Sequence, residues 1–175
     1  MIYSNLNRKF FISSISIFLF ILSGCSTTIY SKPDTTTTVI MIRHADRTAM
    51  GGQLTERGKK NAHRLIKEIG AMNITAIYSP DLVRNLDTVQ PLAKHLGIRI
   101  TKVQDDPDEQ DIVIDIMGKH SGKTVLWVGN TTNLSGIYTL LGGTGESPVR
   151  YGDLFIIKVP DKGKSQIEKK RWGNN

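Results

Sequence analysis

The sequence predicts a three-layer α/β/α domain. Two observations carry that prediction: short β-branched runs alternate with helical patterns from residue 38 onward, and the runs are apolar throughout. A strand covered by helices on both faces has no solvent side, so it reads as a continuous apolar run. A chain of 175 residues holds one such domain with a short extra segment, because domains cluster at about 100–150 residues. A hydrophobic share of 39% and a charged share of 22% exclude a disordered or fibrous chain.

Residues 1–24 read as an export leader. Arg8 and Lys9 precede an apolar stretch from Phe10 to Leu22, short for a membrane span. Leu22-Ser23-Gly24-Cys25 resembles the bacterial lipobox, whose cysteine is lipidated and becomes the start of the mature chain. An uncleaved anchor helix is the alternative. Cys25 is the only cysteine, so no intrachain disulfide forms, and lipidation accounts for its presence. The expected location is the cell envelope, anchored through lipid on Cys25, with Ser26 favouring the periplasmic face of the outer membrane. Residues 25–37, rich in Thr and Ser, read as a flexible tether.

The folded domain is expected over residues 38–160, with strands at Thr38–Arg43, Ala76–Ser79, Ile98–Val103, Thr124–Val128 and Leu154–Val159. Between the first two, Thr55–Ile69 places Ala62, Leu65, Ile66 and Ile69 at helical spacing, and Gly70 stands where a helix commonly ends left-handed. Ser79-Pro80 reads as an N-cap and first-turn proline of a helix reaching Leu96, with Pro91 as a kink and Gly97 as the stop. Gln110–Lys119 and Asn133–Leu141 carry weaker helical patterns. Residues 161–175 read as a basic tail, since Lys162, Lys164, Lys169, Lys170 and Arg171 supply much of the formal net charge of +7. A solvated tail near an anionic membrane fits it better than nucleic-acid binding, because no aromatic residues are interleaved to stack bases.

The first strand ends in Arg43-His44-Ala45-Asp46-Arg47, at the carboxyl edge of a sheet where open α/β folds build their sites. Arg84 follows Tyr78-Ser79-Pro80 early in a helix that starts at the end of another strand. Two guanidinium groups at one edge, beside a helix N-terminus, suit a phosphate-type anion. Gly142-Gly143-Thr144-Gly145-Glu146 lacks the Gly-Lys-Ser/Thr ending of a phosphate loop and reads as a turn.

Taken together these segments resemble the histidine phosphatase superfamily, also called phosphoglycerate mutase-like, across most of residues 38–160. Val39 to Ala45 looks like the family's strand leading into Arg-His-Gly or Arg-His-Ala, and Leu54-Thr55-Glu56-Arg57-Gly58 like its helix start. Ser79 to Arg84 resembles the helix supplying the second arginine, Gly122 to Gly129 the strand that delivers a second histidine, and Tyr151 to Phe155 the last strand. The resemblance implies a mostly parallel mixed sheet and phosphoryl transfer through a phosphohistidine on His44, with Arg43 and Arg84 holding the phosphate and no metal or cofactor. The partner is then a phosphorylated small molecule or a phosphoprotein. A carboxylic acid usually protonates the leaving oxygen; Asp46 and the acidic loop of Asp105, Asp106 and Asp108 are the candidates, with Asp46 and Asp106 taken forward.

One position departs from that pattern. Gly129 is followed by Asn130 where the family has its second histidine, and His63, His95 and His120 read as structural or surface residues. Asn130 keeps an amide donor without a positive charge. Losing one such group typically costs about 100- to 1000-fold in rate, so the implied outcomes are a weakened hydrolase or an inactive phosphate-binding lipoprotein.

Overall fold

The computed structural model describes residues 27–50 and 52–173, so the leader and Cys25 lie outside the described residues. Ten elements follow in order: β1 (Thr36–Arg43), α1 (Glu56–Ile69), β2 (Ile74–Pro80), α2 (Val83–Leu96), β3 (Ile100–Val103), α3 (Glu109–Lys119), β4 (Thr124–Gly129), α4 (Thr131–Leu140), β5 (Asp153–Pro160) and β6 (Gln166–Arg171). They form one mixed sheet in the order β3-β2-β4-β1-β5-β6. The β3-β2, β2-β4 and β4-β1 pairs are parallel, while β5 runs antiparallel to β1 and to β6.

Strand periodicity splits the apolar side chains between two cores. Val39, Met41, Val125 and Trp127 pack with α3 and α4, through residues such as Ile116 and Ile137. Ile40, Ile42, Leu126 and Val128 pack with α1 and α2, through residues such as Leu65 and Leu92. Burying one such side chain contributes about 1.5–3 kcal/mol, so the apolar strand runs are what hold the layers together. No described helix is long and apolar enough to cross a membrane.

Helix ends follow local chemistry, with two corrections. Thr55 caps α1 by accepting from Gly58 N at 3.0 Å, and Asp108 caps α3 by accepting from Gln110 N and Asp111 N. Gly97 ends α2 in the left-handed conformation, at φ +68. Gly70 is instead right-handed, and the left-handed residue after α1 is Asn73. Ser79 does not cap α2: β2 pairing with β3 continues through Pro80, and Leu82 takes the cap position, without a side-chain bond.

Two segments outside the expected domain are folded. The tether is fastened from Ile29, whose N donates to the Leu140 carbonyl, and Ser31 is buried with its Oγ bonded to Val159 O and Thr37 Oγ1. The basic tail is β6, paired along its length with β5 and followed by Trp172, which sits in the α1–α2 core. Polar hydrogen bonds in the first case and cross-strand pairing in the second supply what neither sequence shows as periodicity.

Candidate phosphate site

The site grows from the end of β1. Arg43 pairs with Gly129 of β4, and His44 N donates to the Gly129 carbonyl at 3.1 Å, which sets His44 beside the Gly129-Asn130 corner. His44 is 2% exposed. Its Nδ1 lies 2.8 Å from the Ala45 carbonyl, which can only accept, so Nδ1 carries the proton of the neutral ring and Nε2 keeps its lone pair. Burial pushes its pKa down to about 4, with the Ala45 bond opposing and the charges of Arg43, Arg84 and Arg47 adding to the fall. At neutral pH His44 is a neutral imidazole.

The elements around it are braced against one another. Gly58 lets the start of α1 approach the segment from His44 to Asp46, since a Cβ there would meet Asp46 O at 2.1 Å. Thr88 of α2 donates to Arg84 O at 2.6 Å and accepts from Ala45 N at 2.9 Å, locking the helix that carries Arg84 to the segment that carries His44. Arg84 Nε donates to Asn130 Oδ1 at 3.3 Å. Asn130 precedes α4, and its N donates to Asn133 Oδ1 at 3.0 Å.

Three arginines converge here without a counter-charge. Among the described residues, Arg43, Arg47 and Arg84 form no ion pair with a carboxylate. Arg43 donates to the Val149 carbonyl at 2.8 Å, and its Nε is buried without a partner. Burial and the neighbouring charges of Arg47 and Arg43 hold Arg84 below its ordinary pKa, against the pull of Tyr151. Cations gathered this way repel one another until an anion joins them. With the Nε2 lone pair among them, the arrangement suits a nucleophile facing a phosphoryl group.

The expected acids lie elsewhere. Asp46 is 6% exposed and turned toward α1, where Arg57 and Asn61 donate to its two oxygens. Asp106 is exposed, has its N bonded to Asp105 Oδ1, and makes no hydrogen bond or ion pair with His44 or the arginines. Asp108 is the α3 cap and lines a groove of about 680 Å³ with Asp81, Lys102 and Asp111.

Sequence reasoning missed Tyr151 and what holds it. The Arg43 guanidinium stacks 4.0 Å from the Tyr151 ring centroid, and the same ring meets His44 edge-on at 5.6 Å. The Tyr151 turn is clamped from β6: Arg171 donates to Tyr151 O at 2.9 Å and to Asp153 Oδ1 at 2.7 Å, and Trp172 N donates to Gly152 O at 2.8 Å. The visible signal was Tyr151-Gly152-Asp153 before a strand, which marks a turn and not its reach.

A family model described as Histidine phosphatase superfamily (branch 1) matches residues 39–113, the stretch that contains His44 and the three arginines around it. A comparison with curated proteins finds no match. Among solved structures, YhfR of Bacillus stearothermophilus is similar at 21% identity and TM-score 0.62, covering 75% of this chain and 95% of its own. The protein histidine phosphatase SixA, complexed with tungstate, is similar at 11% identity and TM-score 0.59, over 77% and 96%. Phosphoserine phosphatase of Entamoeba histolytica, in complex with 3-phosphoglyceric acid, is similar at 14% identity and TM-score 0.56, over 79% and 98%. The fold is therefore the phosphoglycerate mutase-like α/β fold.

Proposed function

We propose that this protein is a phosphatase of the histidine phosphatase superfamily, acting through a covalent phosphohistidine on His44 and held to the membrane by lipid on Cys25. The observation that carries the reading is the neutral His44 ring, its proton fixed on Nδ1, facing arginines that have no carboxylate partner among the described residues. In this reading Nε2 attacks phosphorus, the bond to the leaving atom breaks, and water then releases phosphate and restores the ring. Arg43 and Arg84 hold the non-bridging oxygens. The family match and the tungstate in SixA, an oxyanion shaped like phosphate, support it.

Neither Asp46 nor Asp106 makes a hydrogen bond or ion pair with His44, so the leaving group departs best where it needs little protonation. That favours phosphohistidine and aryl phosphates over alkyl phosphates. A second reading, an inactive domain that binds a phosphorylated partner, is favoured by one contact: Asn130 offers its amide oxygen to Arg84, where the family has a histidine. The deciding experiment follows hydrolysis of p-nitrophenyl phosphate, together with acid-labile phosphate on the protein, for wild type, His44→Ala and Asn130→His. Turnover lost in His44→Ala supports the enzyme; an inert wild type with an active Asn130→His supports the binding domain.

A further inference from the structure

We infer that the sheet edge opposite His44 rests on the anionic surface of the membrane that holds Cys25, so that the candidate site opens away from that membrane toward soluble phosphorylated molecules. The inference builds on the lipid-anchored reading above. It begins with the tether. Ile29 N is bonded to Leu140 O, Ser31 N to Pro160 O, and Lys32 N to Ser121 Oγ. Only residues 26–28 therefore separate Cys25 from the fastened chain, a reach of about 15 Å when fully extended. A domain on so short a leash presents one patch to the membrane.

That patch is fixed by topology. β1 starts at Thr36, opposite Pro160, and ends at Arg43, opposite Gly129. Eight strand residues place the two edges about 25 Å apart. α4 makes the same crossing, from Asn130 beside the site to Leu140 beside the tether.

Charge and polarity around the tether attachment suit an anionic surface. Lys32, Lys123, Lys162 and Lys164 are exposed around the tether attachment, against Asp34 and Asp161. Tyr30 is 43% exposed there and borders a groove of about 290 Å³ shared with Thr28 and Lys164. A half-exposed tyrosine among lysines suits a headgroup layer. The opposite edge carries the exposed Asp105, Asp106 and Asp108, which an anionic surface repels, together with Arg43, Arg47 and Arg84, which it attracts, so the choice between the two edges is made by the short tether. Screening confines both effects to roughly 8–10 Å, less than the separation of the edges.

The test uses the full lipidated chain, matured in cells and extracted from membranes. Intact mass reads the lipid first: an unmodified Cys25 overturns the anchoring reading itself. A fluorophore is then placed at Lys162→Cys or at Met50→Cys, which is 89% exposed beyond the site. The protein is reconstituted into phosphatidylethanolamine–phosphatidylglycerol vesicles containing headgroup nitroxide lipid. Quenching at position 162 is expected to exceed that at position 50 at least threefold, and the contrast to fall at least by half in neutral phosphatidylcholine vesicles. Equal or reversed quenching on lipidated protein overturns the orientation, and a contrast indifferent to vesicle charge overturns the role given to the lysines.

Discussion

Two histidines in this chain meet a tyrosine edge-on at nearly the same spacing, His44 with Tyr151 at 5.6 Å and His120 with Tyr78 at 5.7 Å. Their surroundings differ in charge balance. Around His120, the Tyr78 hydroxyl donates to Asp115 at 2.8 Å and lies 3.1 Å from His120 Nε2, and Lys119 closes on Asp115 at 2.6 Å. Burial pulls Asp115 upward, but the bonds from Lys119 and Tyr78 outweigh it, and its pKa falls. Tyr78 is pushed well above its ordinary value by burial and by Asp115, so it stays a donor. The carboxylate in that cluster is answered by Lys119 and by the Tyr78 hydroxyl. Around His44 three cations have no carboxylate partner among the described residues, and the imbalance, not the residue types, separates the candidate site from a polar brace.

The strongest way to break the comparison is to remove each imidazole in turn. His44→Ala should lower p-nitrophenyl phosphate turnover by at least about 1000-fold and abolish the phosphoenzyme, whereas His120→Ala should change turnover less than about twofold. Comparable losses would mean that the two clusters do not differ in kind. Next, Arg84→Ala removes one phosphate clamp and should cost about 100- to 1000-fold in kcat/KM, read from steady-state kinetics. Asn130→His, which puts an imidazole beside Arg84, should under the proposed function raise kcat by about 10- to 100-fold; a fall would show that the amide is the better partner there.

Acid should separate the clusters further. Since His44 titrates near 4 when folded and near 6.5 when unfolded, the unfolded chain binds the extra proton between those values. Stability that His44 contributes is fully present above about pH 6.5 and is lost as pH falls toward 4, and the loss should be absent in His44→Asn by thermal melts across that range. The acid limb of kcat/KM should likewise fall near pH 4, well below an ordinary histidine limb. The smallest effect belongs to the brace: His120→Ala should cost about 1 kcal/mol in denaturant unfolding, the scale of one net hydrogen bond.

How much was legible follows from which interactions leave a pattern in sequence. β1, its turn into Arg43-His44 and the apolar face of α1 were readable, because apolar runs and helical spacing are local. β6 was not, since Gln166–Arg171 exposes all but Ile167 and becomes a strand only through pairing with β5. The partners of Asp46 were not legible either: it stands two residues from His44 in sequence, and the donors to its carboxylate, Arg57 and Asn61, come from α1. Tyr151 needed both the sheet order and the β6 clamp before its ring could be placed over Arg43.

The clamp also sets an order of completion. His44 and Arg84 leave the ribosome long before Arg171 and Trp172, the residues that hold the Tyr151 turn against His44. A chain still being made thus carries His44 and Arg43 without the Tyr151 ring held against them, and the candidate site is completed only once β6 has emerged.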